Sequence, residues 1–438
     1  MSDGVMLPLG EICRNASRRF APPEDGKVWF INTGDVESGR FTHNDLSDWE
    51  GLPGQAKKAV VEGDILYSEI RPGNGRYAFV DKQYPNAVVS TKFMVIEAGE
   101  SILPKYLYHV ITSPELQNAM KLIAESRSGT FPQITFDSIA HLELMVPSKA
   151  EQLAVSSLLD AIEGRIRNNQ KMNQTLEDIA KAIFKSWFVD FDPVRAKAEG
   201  RPTGLPPEIS DLFPNELVDS EIGEMPKGWV KTQLDEIAEV IDPHPSHRAP
   251  KAVSDGYPFA GIGDIDEMGN INLAKARIIA EEAVTEQEQT YRINESSVGF
   301  GRVGTVGKVV RLRKQDFRFA ISPTLAIVNP RAQDFGAFVY LLLKSQGFQR
   351  QVENNMTGST RPAIGIKVLR SLTTALPEQA VKTMQVFQSL TQSMLLKGDL
   401  LNSETQILSE LRDTLLPKLI SGELRIPDAE KFLEEAGI

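Results

Sequence analysis

Two long stretches of this chain repeat apolar residues every three or four positions. The first extends from about Glu151 to Val189 and the second from about Glu378 to Ile420. Alternating spacings of three and four put apolar side chains in one narrow stripe, which predicts a helix with a heptad seam. At ~1.5 Å per residue, each helix would be roughly 55–60 Å long. The predicted seam residues are Val155, Leu159, Ile162, Ile166, Asn169, Leu176 and Ile183 in the first helix, and Met384, Phe387, Met394, Leu401, Leu408 and Leu415 in the second.

A helix of that length with a narrow apolar stripe needs a partner. The other long helix is the simplest partner, and an antiparallel pair would hold one globular domain at each end. The alternative is that each helix packs on its own globular domain. Asn169 and Asn173 make the first seam polar at its middle. Buried asparagine weakens a seam but fixes its register.

The remaining sequence forms two regions of short alternating runs, at 1–149 and 228–377. Runs such as 64–67 are bounded by Gly, Pro, Asn and Asp, which predicts strands of mostly β domains. One short helix is expected in each region, near Lys105–Ala124 and near Phe335–Glu353.

The two regions are related by an internal repeat. FINTGDV at 30–36 matches FAGIGDI at 259–265 with an offset of 229 residues, and SGTFPQI at 128–134 matches GSTRPAI at 358–364 with an offset of 230. A constant offset indicates duplication. The alternative is two copies of a common α+β module without a shared function.

The predicted fold class is therefore α+β: two mostly β domains separated by a long antiparallel two-helix coiled coil, with an internal pseudo-two-fold repeat. The segment at 190–227 is Pro-rich and acidic, and we interpret it as a partly ordered linker. The predicted divisions are domain 1 at 1–149, helix 1 at 150–189, the linker at 190–227, domain 2 at 228–377, helix 2 at 378–424 and a tail at 425–438.

Composition limits the classes of protein that fit. The 438 residues carry a net charge of −11, which excludes a chain that is basic overall but not a local basic site. The single cysteine, Cys13, excludes an intrachain disulfide and a cysteine-based zinc site. No apolar run approaches the ~18 residues of a membrane span, and the first ten residues lack a signal-peptide pattern. We expect a cytoplasmic protein without membrane contact.

Motifs for catalysis are missing. Gly299–Gly304 fits GxGxxG, but a strand rather than a helix is predicted after it, which disfavours a nucleotide or S-adenosylmethionine site. No P-loop and no amino-methyltransferase motif occurs. His244 and His247 lie in a Pro-rich turn without clustered ligands, so we expect a loop surface and no metal site.

Several longer strings carry a family resemblance. AIFKSWFVDFDPVRAKAEG at 182–200 and LLPKLISGELRI at 415–426 are the most specific, and GEMPKGWVKTQLDEIAEV at 223–240 and PLGEI at 8–12 add to them. With these strings and its two-domain, two-helix plan, the chain resembles the specificity (S) subunits of type I restriction–modification systems over essentially its whole length.

The resemblance implies that both globular domains are target-recognition domains, each reading one half of a split sequence in double-stranded DNA. It implies that the helices set the spacer and dock two methyltransferase (M) subunits, and that restriction (R) subunits join through the complex. It also implies no catalytic site and no cofactor on this chain, with S-adenosylmethionine on the M subunit and ATP and Mg on the R subunit. The alternative is a structural adaptor that joins proteins without reading bases.

Three segments are candidates for DNA contact. The segment at 298–318 has six basic residues and one acidic residue, which suits phosphates, although an ordinary solvated hairpin has the same pattern. The turn at 71–76 presents Arg and Asn at a hairpin tip, and the repeated loop offers side chains that bond base edges. The candidate residues are Arg71, Asn74, Arg76, Arg127, Ser128, Thr130, Phe131 and Gln133 in domain 1, and Arg302, Thr305, Lys308, Arg311, Arg318, Thr357, Ser359, Thr360 and Arg361 in domain 2.

Overall fold

A computed structural model describes residues 4–127, 130–244, 249–266, 269–273, 276–358, 360–421, 423–425, 428–429 and 431. The chain divides into two compact units. Unit 1 comprises Met1–Asn168 with Glu404–Ile438, and unit 2 comprises Asn169–Ser403. Each unit thus contains one globular half and a part of both long helices. Within the described residues, no helix is long and apolar enough to cross a membrane.

Unit 1 contains two four-stranded sheets and short helices. The strands are β1 (Val5–Pro8), β2 (Cys13–Asn15), β3 (Lys27–Ile31), β4 (Val36–Glu37), β5 (Arg40–Phe41), β6 (Ser47–Asp48), β7 (Ala56–Ala59), β8 (Ile65–Ser68), β9 (Tyr77–Phe79), β10 (Ala87–Ser90), β11 (Phe93–Ala98) and β12 (Glu143–Val146). The helices are α1 (Leu9–Ile12), α2 (Pro104–Ile111), α3 (Pro114–Arg127), α4 (Phe136–Ile139) and the first part of α5 (Lys149–Phe188), with 3-10 turns at Thr33–Asp35, Trp49–Gly51 and Pro72–Asn74.

Unit 2 continues from the second part of α5. Its strands are β13 (Leu217–Ser220), β14 (Gly223–Pro226), β15 (Trp229–Gln233), β16 (Ala238–Ile241), β17 (Ala252–Ala260), β18 (Arg277–Ile279), β19 (Val298–Gly301), β20 (Val309–Arg311), β21 (Ala320–Ile321), β22 (Leu325–Pro330) and β23 (Thr373–Pro377). Its helices are α6 (Asp192–Ala198), α7 (Pro207–Ser210), α8 (Leu234–Ile237), α9 (Glu281–Thr290), α10 (Gly336–Lys344), α11 (Gln346–Asn355), α12 (Ile366–Ser371) and α13 (Ala380–Ile420), whose last part belongs to unit 1, with a 3-10 turn at Gln333–Phe335.

The two globular halves share one topology. One sheet has the order β2-β11-β8-β9 in unit 1 and β16-β22-β19-β20 in unit 2. The other sheet pairs β3 with β10 in parallel in unit 1, and β17 with β21 in parallel in unit 2. Each half also begins and ends in paired strands, because β1 pairs with β12 and β15 pairs with β23. The predicted α+β class and internal repeat are confirmed.

The first repeated string has a structural explanation. The Asp35 carboxylate accepts the backbone N–H of Asn32 at 2.9 Å, and the Asp264 carboxylate accepts that of Gly261 at 2.8 Å. In both units the aspartate satisfies a backbone donor that the turn leaves unpaired. The matching aspartates therefore hold matching turns.

The long helices pair within each unit. In unit 2, Asn173 donates to Asn402 at 2.9 Å and the rings of Phe184 and Phe387 lie 6.2 Å apart, so the two helical segments are antiparallel. In unit 1, Arg165 pairs with Glu404 at 2.8 Å. Most predicted seam residues are buried: Val155, Leu159, Ile162, Ile166, Asn169, Met384, Phe387, Leu401, Leu408 and Leu415. Leu176, Ile183 and Met394 are half-buried.

The same helices also pack on the globular halves, so the two alternatives were not exclusive. In unit 1, Ile162 shares an apolar cluster with Ile65 and Tyr106. In unit 2, the Phe184 ring lies 5.4 Å from that of Phe338 on α10. Phe184 also contacts Phe387, and the cluster of Ile162 includes Leu408, so helix pairing and domain packing share buried positions.

The prediction of a partly ordered linker at 190–227 is wrong. The segment forms α6, α7, β13 and β14, and Phe191, Val194 and Phe213 are buried in the main core of unit 2. Its apolar residues are few but large, so a periodic pattern did not reveal them. The segment is an integral part of unit 2.

The single short helix expected in each half is two helices. In unit 1, α2 ends before Pro114, which begins α3 because proline is tolerated in a first turn but not inside a helix. In unit 2, Ser345 separates α10 from α11 and its side chain accepts the Phe348 N–H. The strand expected after Gly299–Gly304 is present as β20, which pairs with β19 in a hairpin.

Candidate nucleic-acid interface

Two of the predicted segments of unit 1 meet at one place. The Arg71 N–H donates to the Pro132 carbonyl at 2.9 Å, and the Ile134 N–H donates to the Glu69 carbonyl at 2.9 Å. The turn after β8 and the loop after α3 are therefore joined by backbone hydrogen bonds, and they form one surface.

Arg71 and Phe131 are the most prominent side chains on that surface. Arg71 is exposed, and its guanidinium carbon lies 6.0 Å from the centroid of the Phe131 ring, which is 49% exposed. Arg71 has φ of 47°, a left-handed conformation that costs a non-glycine residue of order 1–3 kcal/mol. The predicted hairpin is present, but its turn is the 3-10 segment Pro72–Asn74.

The other candidates of unit 1 divide into outward and inward positions. Asn74, Arg127, Thr130 and Gln133 are exposed, whereas Ser128 lies outside the described residues. Arg76 is half-buried and donates to the Thr33 carbonyl at 2.6 Å. The expectation that Arg76 points from the tip is wrong, because its side chain supports the neighbouring turn.

Unit 2 builds the same junction. The Gly304 N–H donates to the Pro362 carbonyl at 2.9 Å, and the Ile364 N–H donates to the Arg302 carbonyl at 2.9 Å. Gly304 thus occupies the position of Arg71, and Arg361 that of Phe131. The exposed candidates are Thr305, Thr357, Thr360 and Arg361, and Ser359 lies outside the described residues.

The prediction that the basic segment at 298–318 presents its side chains to DNA is wrong. Arg302 is only 6% exposed and pairs with Asp242 at 2.9 Å. Lys308 donates to the carbonyls of Ile262 and Ile265 at 3.1 and 2.8 Å. These two side chains stabilise unit 2 internally and do not form a solvent-facing basic hairpin.

The arginines that end this segment are also engaged. Arg311 bonds the Asp399 carboxylate on α13 at 3.1 Å, and burial raises the pKa of Asp399 despite this partner. Arg318 bonds Glu281 and Glu288, and its hydrogen bond to Glu288 raises the pKa of Arg318. We therefore remove Arg302, Lys308, Arg311 and Arg318 from the interface.

One basic surface was missed. Arg19, Lys57, Lys58 and Trp49 line a cavity of about 890 Å³ in unit 1. Arg19 and Lys57 are exposed, whereas the Lys58 ammonium donates to the Phe93 carbonyl at 2.6 Å and burial lowers its pKa, so Arg19 and Lys57 are the cations that face outward. Adjacent cations with an aromatic side chain suit a phosphate backbone. The adjacent basic pairs Arg18-Arg19 and Lys57-Lys58 could have indicated this basic surface in the sequence. The net negative charge of domain 1 drew attention away from them.

A metal-ligand combination occurs once among the described residues, in unit 1. Ligand atoms of His109, Asp160 and Glu163 lie within 4.8 Å of one another. The His109 Nε2 lies 2.9 Å from Asp160 and the Nδ1 lies 3.6 Å from Glu163, so each ring nitrogen faces a different carboxylate. Through these two contacts His109 joins α2 to α5.

The interpretation of His244 as a surface residue is wrong. His244 is 9% exposed and bonds the buried Gln287, and burial lowers the pKa of His244. His247 lies outside the described residues. His244 is thus a core histidine of unit 2.

Comparison with known proteins places this geometry in a family. The family model described as type I restriction modification DNA specificity domain matches residues 1–178 and 226–402. The chain is 36% identical to the type I restriction enzyme HindI specificity subunit of Haemophilus influenzae, over 97% of this chain and 100% of that protein. It is 27% identical to the MjaIX specificity subunit of Methanocaldococcus jannaschii, over 77% of this chain and 72% of that protein.

A solved structure supports the fold. The type I restriction–modification S subunit from M. genitalium aligns with a TM-score of 0.54 and 14% identity, over 96% of both chains. The family model covers the duplicated halves, and the HindI subunit matches along its entire length. This chain, with its duplicated mostly β halves and shared helices, belongs to the specificity subunits of type I restriction–modification systems.

Proposed function

We propose that this specificity subunit reads a split sequence in double-stranded DNA, with each globular half contacting one part. The chain contributes recognition and no catalysis to its complex. The long helices set the spacer between the two parts of the sequence and dock the methyltransferase subunits.

One observation carries this proposal: the halves share a scaffold and differ where the loops face outward. The repeated residues Pro132 and Pro362 accept the same backbone hydrogen bond in the two units. The neighbouring exposed position is Phe131 in unit 1 and Arg361 in unit 2. Equal frames with different outward side chains suit two readers of different base sequences.

The helices support docking of two copies of one partner. Three exposed large apolar residues of α5 match three of α13 with an offset of 228 residues, and α13 also exposes Leu396. The matched residues are Leu153, Met172 and Ile179 on α5, and Val381, Leu400 and Ile407 on α13. Exposed apolar side chains at repeat-matched positions suit two equivalent protein contacts. We assign them to two M subunits, which bring S-adenosylmethionine, while R subunits bring ATP and Mg.

Docking is tested with Leu400→Asp and its repeat match Met172→Asp. Each variant should lose one of two M subunits, because a charge placed in an apolar contact lacks a partner. Mass photometry of the reconstituted complex measures the stoichiometry. Glu410→Gln on the exposed surface of α13 is the control. Retention of two M subunits by both aspartate variants contradicts this assignment.

Recognition is tested by offering the reconstituted M–S complex a library of random duplexes and sequencing the methylated molecules. The proposal predicts one two-part motif with a fixed spacer. An adaptor without base readout would give methylation without any common sequence, or none. The S chain alone, with S-adenosylmethionine, should methylate nothing.

A further inference from the structure

Arg71 and Phe131 form an exposed pair where the two loops of unit 1 meet. We propose that this pair reads a guanine in the part of the DNA sequence contacted by unit 1, an inference that rests on the proposed function. The Arg71 guanidinium carbon lies 6.0 Å from the centroid of the Phe131 ring. Within the described part of the chain, Arg71 forms no ion pair, so its charge is available to a ligand.

The backbone at Arg71 shows that the fold does not need an arginine there. Its φ is 47°, and the following residue is Pro72, which further restricts the conformation of Arg71. The equivalent residue in unit 2 is Gly304, with φ of 78°. Both N–H groups donate to a proline carbonyl at 2.9 Å. The junction thus requires a left-handed residue, and glycine meets this requirement without strain.

An arginine at a position suited to glycine opposes folding and points to a role for its side chain. Strain of this kind persists where the surroundings fix the backbone, and the hydrogen bond from Asn74 N–H to the Arg71 carbonyl at 2.9 Å adds to that constraint. The Cα–Cβ bond of Arg71 therefore starts from a fixed point and in a fixed direction.

A guanine edge fits this arrangement better than a phosphate. The planar fork of an arginine matches both the O6 and N7 atoms of guanine and the oxygens of a phosphate. Guanine is favoured because Arg71 stands at a position that differs between the two halves, and phosphate contacts carry no sequence information. The Phe131 ring attracts the guanidinium and limits its rotation, which orients the fork. In unit 2 the two positions hold Gly304 and Arg361, so this pair is specific to unit 1.

Arg71→Lys and Arg71→Gly separate reading from folding. Lysine keeps the charge but loses the fork, and glycine removes the side chain while relieving the backbone. In the M–S complex, methylation of the random duplex library should show one guanine position in one half of the motif relaxing by about tenfold or more in both variants. Phe131→Leu should relax the same position to a smaller extent. Thermal unfolding of Arg71→Gly should occur at the wild-type temperature or above.

Lys82→Gln is the matched control, since Lys82 is an exposed cation of unit 1 that lies 5.3 Å from the Tyr84 ring without left-handed backbone. Its motif should equal that of the wild type. Uniform weakening of methylation across all sequences by the Arg71 variants would indicate a phosphate contact and overturn the proposal, as would an unchanged motif. If the wild-type complex shows no motif, the proposed function itself fails.

Discussion

The two globular halves use the same strand order and the same loop junction, yet their chemistry differs at the junction. Unit 1 has Arg71 and Phe131 where unit 2 has Gly304 and Arg361. Two residues before Arg71 and Gly304, the equivalent residues have opposite charges. Glu69 is half-buried in unit 1, whereas Arg302 is buried in an ion pair in unit 2. The two halves therefore share one backbone arrangement but differ in where their charged side chains lie.

This comparison separates residues that build the frame from residues free to read. Pro132, Ile134 and their matches Pro362 and Ile364 are equal in the two halves and hold the loops by backbone contacts and burial. Of the exposed neighbouring positions, Phe131 and Arg361 differ, whereas Thr130 and Thr360 are equal. The buried repeated residues thus mark structure, and the exposed positions that differ are the stronger candidates for reading different bases.

The largest expected effect concerns the apolar frame of the helices. Phe387 is fully buried, and its ring lies 5.0 Å from that of Phe188. Phe387→Ala should lower the free energy of unfolding of unit 2 by about 4 kcal/mol, and the repeat-matched Leu159→Ala that of unit 1 by about 3 kcal/mol. Hydrogen exchange measured by mass spectrometry resolves the two units. The exposed Leu400→Ala should change little, and equal losses in both units from either core variant would contradict separate cores.

The next effect concerns the buried ion pair of Arg302 with Asp242 in unit 2 and the equivalent residue Glu69 in unit 1. Asp242→Ala leaves Arg302 buried without a partner and should destabilise unit 2 by about 3 kcal/mol. Glu69→Ala in unit 1 should cost less than about 1 kcal/mol, because Glu69 is half-buried and burial raises its pKa. Urea unfolding provides both values. Adding Arg302→Met to Asp242→Ala should recover most of the loss; if it does not, the ion pair is not the cause.

The smallest effect is a pH dependence of the two contacts that join α5 to the globular halves. Burial alone would raise the pKa values of Asp160 and Glu177. Hydrogen bonds from His109 and Lys344, respectively, together with the attraction of neighbouring lysines, lower both pKa values. A lowered folded-state pKa stabilises the fold above the unfolded-state value near 4, and this stabilisation is lost as pH falls through the folded-state pKa.

Asp160→Asn and Glu177→Gln should therefore each lower stability at pH 7 by about 1 kcal/mol or less, with Asp160 giving the smaller effect because it is more exposed. The difference from wild type should shrink below pH 4. Thermal unfolding at several pH values measures it. A difference that stays constant from pH 7 to pH 3 would show that these carboxylates act by shape rather than charge.

The frame was more predictable than the interface, for physical reasons. Burial periodicity and turn chemistry are local, so they revealed the long helices, the strand-rich halves and the repeat. The partner of a charge is not local: Asp242 lies 60 residues before Arg302 in sequence, and Asp399 lies 88 residues after Arg311. The cluster of basic residues at 298–318 therefore predicted an exposed basic surface, although Arg302 and Arg311 form ion pairs within unit 2. The segment at 190–227 was missed because a few aromatic residues, such as Phe213, bury it without a regular period.

The central claim is that each globular half is an independent reader, and exchanging one half tests it most directly. The paired end strands, with Val5 opposite Val146 and Trp229 opposite Pro377, allow the second half to replace the first between neighbouring ends. A chain with residues 229–377 in place of 5–146 is assembled with M subunits, and its methylated motif is sequenced. We predict that the motif contains the half-sequence of unit 2 twice and loses that of unit 1. A folded, M-bound exchange variant that still methylates the half-sequence of unit 1 would contradict the account.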